Sequence, residues 1–274
     1  MLGRWLAARH FRRASLVRPA EPYSQDPALS DRPDVAARTA FLREHLLIHT
    51  HTPKTAGSAV SAGLSAIVGG VHTLDTRFTR ATPIGDLTDA ERDEIFFVSG
   101  HFRYGIHTAF DRVPLYLAAI RSPVDRVVSM YRYMQDAPED EQDLSVTKLD
   151  FDEAWRVMDE NGGPDRRDLQ ARYLTGKKDG PLDEDFLWHQ ADIGYFLLIP
   201  QDRVSEAIHR LRAAFGVAWT KVSRGNPSRS APVEPSKDSS TAIRERNPLD
   251  QALFDHVAAR FDDNLNRACA YIAK

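Results

Sequence analysis

Cysteine is almost missing. Cys269 is the only thiol in 274 residues, so no intrachain disulfide can form; the chain fits a reducing, cytoplasmic compartment, and Cys269 itself is expected to pack in the core on the last helix. Long apolar runs are missing as well. No stretch approaches the roughly 18 consecutive apolar residues of a membrane span, so no transmembrane segment is expected, and the first residues are too short of apolar character for a signal-peptide core. Charge of one sign is also absent. With 36 Lys and Arg against 39 Asp and Glu the formal net charge is −3, which leaves no global field to draw nucleic acid, and any anion site must be made locally. Neither a histidine-cysteine ligand cluster nor a clear acidic magnesium site is visible, so no metal is expected.

What is present is enough to fold. Hydrophobic residues make up 42% of the chain, sufficient for a sizeable core, and the length allows one large α/β domain or two small ones. A single domain over residues 41–274 is the reading adopted. Residues 1–40 differ in composition: Arg4, Arg9, Arg12, Arg13 and Arg18 precede a proline-rich segment through Pro33, read as a poorly ordered basic arm. Its opening, MLGRWLAARHFRR, has the make-up of a short basic amphipathic helix for a membrane surface or partner; a solvated tail is the alternative.

The most informative stretch is Leu46 to Ser61, LLIHTHTPKTAGSAVS. Leu46, Leu47 and Ile48 read as a buried strand, and Val60, Leu64, Ile67 and Val68 recur at the spacing of one helix face. The loop between them therefore lies at a strand-to-helix turn, where unpaired amides and the positive end of the helix dipole favour an anion. Lys54 adds a full charge, Thr55 and Ser58 add hydroxyls, and Gly57 lets backbone approach a ligand. A Walker A loop would need glycine before lysine, and here lysine comes first. A lysine placed on such a turn without any ligand is the plain alternative.

Two further strand ends repeat the pattern. Ile95 to Val98 is an apolar run ending in Ser99, Gly100 and His101, and an imidazole suits proton abstraction near neutrality. Leu115 to Ile120 is another, with Arg121 at its end and Pro123 opening a helix. Val124, Val127, Val128, Tyr131 and Met134 share one face of that helix and Ser129 points away from it. Arg121 and Ser129 together make a second candidate site for a phosphate dianion; pairing of Arg121 with Asp125 is the alternative.

These segments carry a resemblance. HTPKTAGS resembles the His-Ile-Pro-Lys-Thr-Ala/Gly-Gly-Thr-Ser loop of sulfotransferases that use 3′-phosphoadenosine 5′-phosphosulfate (PAPS), particularly the heparan sulfate 2-O-sulfotransferase-like carbohydrate branch. SGHFRYG is similar to that branch's Gly-His-x-x-Tyr/Phe segment, IRSPVDRVVSMY to its Arg-x-Pro-x-x-Arg-x-x-Ser-x-Tyr segment, and DLQARYLTG to a later one. Thr52 stands where the family usually has isoleucine, and Ser58-Ala59 replaces Thr-Ser. The resemblance implies a P-loop-like α/β fold and transfer of a sulfuryl group from PAPS to a hydroxyl of a carbohydrate-containing acceptor, leaving adenosine 3′,5′-bisphosphate (PAP). It implies that Lys54, Thr55, Ala56, Gly57 and Ser58 hold the 5′-phosphosulfate, that Arg121 and Ser129 hold the 3′-phosphate, that His101 is the base, and that Lys54 is catalytic as well, set against the bridging oxygen to stabilise or protonate the departing phosphate. Two other classes stay open: a P-loop phosphotransferase, and a catalytically inactive nucleotide-binding or partner-recruiting protein.

The second half says less about chemistry. Asp150 with Glu153 predicts a capped helix through Met158, and Pro164 to Leu174 predicts another stopped by Gly176; Arg166, Arg167, Gln170 and Arg172 fall on it and are candidates to line the acceptor or donor site, with a solvated charged face the reading for most of them. Tyr195 to Ile199 reads as a strand, Val204 to Phe215 as a helix, and Val217 to Val222 as a strand closing the sheet. Residues 223–240 are polar and long for an ordinary connection; by the resemblance Arg224, Arg229 and Lys237 are candidates for a nucleotide lid. Asn247 caps a last helix that begins at Pro248. The fold class expected is α/β, a mainly parallel central sheet flanked by helices.

Overall fold

Five short apolar runs lie side by side as one parallel sheet. The computed structural model describes residues 33–69, 73–75, 85, 87–137, 144–162, 167–218 and 230–274. Its strands are β1 (His45–Thr50), β2 (Thr73–Asp75), β3 (Phe97–Gly100), β4 (Val113–Ile120) and β5 (Leu197–Pro200), in the order β2-β3-β1-β4-β5. All four pairings are parallel, with Leu47 opposite both Phe97 and Leu115. Parallel strands need crossovers, and helices supply them. Those described are α1 (Pro33–Glu44), α2 (Gly57–Ser65), α3 (Asp89–Asp93), α4 (Pro123–Gln135), α5 (Leu144–Thr147), α6 (Phe151–Gly162), α7 (Leu169–Thr175), α8 (Glu184–His189), α9 (Val204–Ala214), α10 (Lys237–Arg246) and α11 (Pro248–Ile272).

Helices on both faces explain why the strands read as unbroken apolar runs rather than alternating ones. Leu47, Leu115, Leu117, Leu197 and Ile199 face one way, packing with Val60 and Leu64 of α2 and Ile208 and Leu211 of α9. Leu46, Ile48, Tyr116, Ala118, Ile120 and Leu198 face the other, with Ala171 and Leu174 of α7 and Leu187 of α8. The long α11 serves both cores: Leu253 and Val257 join the second cluster, Phe261, Leu265 and Ala268 the first. It therefore wraps the β5 side of the sheet. A third cluster ties α4, α6 and α10 together through Tyr131, Met134, Trp155 and Ile243. Cys269 is half-buried on α11 and packs against the first core, as its position predicts.

Several boundaries differ from the sequence reading. Pro33 opens α1, so residues 33–40, read as the end of an arm, are helical; the arm's arginines lie outside the described residues. Of the helix expected from Pro164, residues 164–166 lie outside the described residues; α7 begins at Leu169, after Asp168 at its N-cap in a left-handed conformation (φ 49°) that no residue pattern announces. Val217 and Ala218 are not in a strand, and the rest of the expected sixth strand lies outside the described residues, as do Arg224 and Arg229. Lys237, proposed for a lid, is instead the first residue of α10, which Ser236 caps by accepting the amide of Ser239. Among the described residues, no helix is long and apolar enough to cross a membrane.

Candidate functional site

In this strand order the chain leaves β1 toward β2 and leaves β4 toward β5, so the segments that follow two adjacent strands diverge. A crevice opens at such a point, beyond the carboxyl ends of the strands. Lys54 follows β1 and Arg121 follows β4. The topology alone therefore puts both cations at the crevice.

The loop after β1 is held tightly. His51 N–H donates to Gly100 O across to β3 (2.8 Å), and Thr55 Oγ1–H donates to Thr52 O (2.9 Å). Lys54 (φ 70°) and Ala56 (φ 65°) both adopt left-handed backbone, each a strain of about 1–3 kcal/mol that the surrounding bonds must hold. Ala56 is the N-cap of α2 and has no side-chain oxygen to offer, so the amides of Gly57 and Ser58 open the helix without a side-chain cap. Gly57 is required for a steric reason: a Cβ there would lie 1.9 Å from the His51 ring. The hydroxyls divide. Thr55 is fully buried with its hydroxyl bonded inward, contrary to the expectation that it faces a ligand, and contributes only its amide; Ser58 is half-buried.

Lys54 Nζ lies 4.2 Å over the Tyr133 ring, and no described carboxylate forms an ion pair with it. Burial first, and the neighbouring Arg121 second, pull its pKa from 10.5 to about 8, with Asp136 opposing. Arg121 is in the same condition. Its Nη1 donates a long bond to Lys54 O (3.3 Å), its Nε is buried with no partner, and no described carboxylate pairs with it. The alternative partner, Asp125, forms no ion pair with it: Ser122, the N-cap of α4, donates to its carboxylate (2.8 Å) and accepts its amide (3.2 Å), though the Asp125 charge still opposes the lowering that burial imposes on the Arg121 pKa. Two like charges held together, with Asp136 near Lys54 and Asp125 near Arg121 but no ion pair to either among the described residues, form a site for an anion. Ser129 sits in the second turn of α4, half-buried, with no hydrogen bond to a described residue.

His101 emerges from the end of β3, exposed, and its Nδ1 lies 2.7 Å from His51 O. A carbonyl only accepts, so Nδ1 carries the proton and the lone pair of the neutral ring is on Nε2. That is the tautomer a general base needs. The His101 ring lies 4.4 Å from that of His51, tilted by 34°, and His51 stacks on the fully buried His49 at 5.4 Å. His49 Nδ1 in turn lies 3.1 Å from Ser61 Oγ and 2.9 Å from Ser99 Oγ. The loop bearing Lys54 and the strand end bearing His101 are thus one packed unit.

The sequence reading missed what stands behind Arg121. Gln170 and Arg172, assigned to a solvated face, are buried; Arg166 lies outside the described residues. Gln170 holds both backbone groups of Arg121, accepting its N–H and donating to its C=O, each at 2.8 Å. Asp250 of α11 accepts from the Gln170 side chain (3.2 Å) and from the amides of Gln170 and Ala171 (3.2 and 2.9 Å). The signal was available only as a glutamine inside the DLQARYLTG segment. A shallow cavity of about 460 Å³ opens at the other edge of the sheet, lined by residues preceding the strands such as Arg43, Phe96 and Arg112, and holds none of these groups. No protein-family model matches the chain, and no curated protein matches it.

Proposed function

We propose that the chain transfers a sulfuryl group from PAPS to a hydroxyl of a carbohydrate-containing acceptor. The observation that carries this reading is the pair of cations, Lys54 and Arg121, joined by a hydrogen bond, free of described counter-ions, and set at the switch-point crevice beside the uncapped start of α2. The amides of Gly57 and Ser58 would hold the 5′-phosphosulfate where charge grows, a contribution of about 10² to 10³ per donor. Arg121, with Ser129, would take the 3′-phosphate. Lys54, with a pKa near 8, is charged at neutrality yet able to give up its proton, the property wanted opposite a leaving oxygen.

His101 Nε2 would take the proton of the acceptor hydroxyl as its oxygen bonds to sulfur. The bond from sulfur to the bridging oxygen breaks, and that electron pair goes to the 5′-phosphate, stabilised or protonated by Lys54. The products are a sulfate ester and PAP. For the acceptor, Arg103 supports an anionic glycan: it lies two residues past His101, stacks 5.0 Å over the Tyr173 ring, has a buried Nε without partner and pairs with no described carboxylate.

The test measures sulfate incorporation from PAPS into uronate-bearing polysaccharides, beside binding of PAP and Mg·ATP. Transfer is expected with the wild type and is expected to fall by about 10² to 10⁴ in His101→Ala, with PAP binding retained. Stabilisation by Mg·ATP without any response to PAP would overturn the reading in favour of phosphoryl transfer. PAP binding with no transfer, unchanged in His101→Ala, would leave a nucleotide-binding protein instead.

A further inference from the structure

Resting on that reading, we infer that Gln170 is a positioning residue that sets the aim of Arg121 and so governs selectivity for a nucleotide with a 3′-phosphate. The argument begins with a gap in the sheet. The ladder between β4 and β5 ends at the pair Ile120 and Pro200, and Pro200 has no N–H to donate. Arg121, one residue further on, leaves the ladder with an N–H and a C=O that both need partners at a half-buried position. Gln170 meets both, because a carboxamide carries the same acceptor and donor as a peptide group. Its orientation is unambiguous: only oxygen can face the Arg121 N–H and only nitrogen the Arg121 C=O.

The clamp is itself immobilised. Gln170 is fully buried, its Nε2 also donates to Asp250 (3.2 Å), and Asp250 is fully buried with Arg126 Nε 3.9 Å away. Asp250 N–H in turn donates to Asp168 Oδ1 at 2.9 Å, closing a circuit between the starts of α7 and α11. A buried hydrogen-bonded network rigidifies what it touches; in this one the Gln170 carboxamide and the Asp250 and Asp168 carboxylates are all bonded, while Arg126 Nε meets Asp250 as a charge and not through a hydrogen bond. What it touches here is the backbone of Arg121, which fixes the direction of Cβ and thus where the guanidinium fork can reach. Among the described residues the fork itself makes one long bond, to Lys54 O. Removing the clamp is expected to leave the charge in place and blur its aim.

The experiment measures dissociation constants of PAP and of 5′-AMP at fixed salt for the wild type, Gln170→Met, Arg121→Ala and the double variant, with thermal unfolding of each. Met keeps the length of glutamine and removes both hydrogen bonds. PAP binding should weaken about tenfold or more in Gln170→Met while AMP binding changes little. The double variant should bind PAP no more weakly than Arg121→Ala alone, the non-additivity that marks action through Arg121. Gln170→Leu, likewise uncharged and unable to bond either group of Arg121, carries the same cycle where Gln170→Met does not fold. A loss of thermal stability with an unchanged ratio of PAP to AMP affinity would make Gln170 a scaffold residue only, and additive losses would also overturn the inference. If the wild type does not prefer PAP over AMP, the sulfotransferase reading fails first and this inference with it.

Discussion

Lys54 is charged at a place that disfavours charge. Burial and Arg121 lower its pKa to about 8, and the sign of the consequence can be worked out. Between about 8 and 10.5 the unfolded chain holds the lysine proton more tightly than the folded one, so this group's contribution to stability rises with pH through that window, and its penalty is fully present below about pH 8. An anion in the crevice reverses the balance, since it favours the charged form. Two outcomes are expected: Lys54→Met raises the unfolding temperature of the ligand-free protein at pH 7, and PAP affinity declines above about pH 8 in the wild type but not in Lys54→Arg, whose guanidinium does not titrate there. Calorimetric titrations from pH 7 to 10 check this, and a wild-type profile as flat as that of Lys54→Arg would show that the ammonium is not the group bound. Residues of this kind were legible because a lysine, an arginine and a histidine each follow an apolar run. Gln170 was not, since its partners are set by groups such as Asp250, 80 positions away, and Thr55 was not, since only the folded shape of its loop turns the hydroxyl onto Thr52 O.

Among elements, the informative pair is α7 and α11, whose starts cap each other. Asp250 accepts the amides of Gln170 and Ala171 in α7, while Asp168 accepts the amide of Asp250 in α11. Asn247 is the N-cap residue of α11, as expected, but its side chain caps no amide of that helix; it accepts the amide of Asp168 and donates to Ile243 O. Charge at two abutting helix starts is favoured by the dipoles, yet burial pushes the Asp168 carboxyl up to about 6, the two amides and Arg172 notwithstanding. Between about 3.8 and 6 the folded state then holds the Asp168 proton more tightly, so its contribution to stability is greatest below about pH 4 and is lost as pH rises to 6. Asp168→Asn keeps the acceptor for the Asp250 amide, removes the charge and suits the left-handed backbone at φ 49°. It should therefore be more stable than the wild type at pH 7, with the difference shrinking toward pH 4. Unfolding curves at the two pH values test it, and a variant less stable at pH 7 would mean that the charge on the cap outweighs burial. Helices and strands were legible as periodic or continuous apolar runs; their ends were not where, as here, one element's cap comes from another.

At the scale of the whole molecule, scaffold and site make opposite demands. The parallel sheet and its helices were foreseeable from apolar runs closing in glycine, proline or hydroxyl turns, but the strand order, and α11 serving both cores around the β5 side, depend on pairings that no local pattern contains. That long helix is where the scaffold is most exposed to damage. Phe261 is fully buried on it, under the Arg203 guanidinium at 4.6 Å, which also pairs with Glu206 and Asp262. Truncating such a ring removes about 3–5 kcal/mol, so Phe261→Ala should lower the unfolding temperature on the order of 10 °C. The site lies at the carboxyl edge of the sheet, and Phe261 contributes nothing to the anion-binding groups, so Phe261→Ala held below its transition should bind PAP as the wild type does. Lys54→Met should do the reverse, standing firmer and binding less, because an unpaired buried cation lowers stability and is retained only for what it binds. The two variants, compared for unfolding temperature and PAP affinity under one condition, decide whether that division holds: loss of affinity in Phe261→Ala would mean that the crevice is shaped by the α11 core and not by the loop after β1 alone.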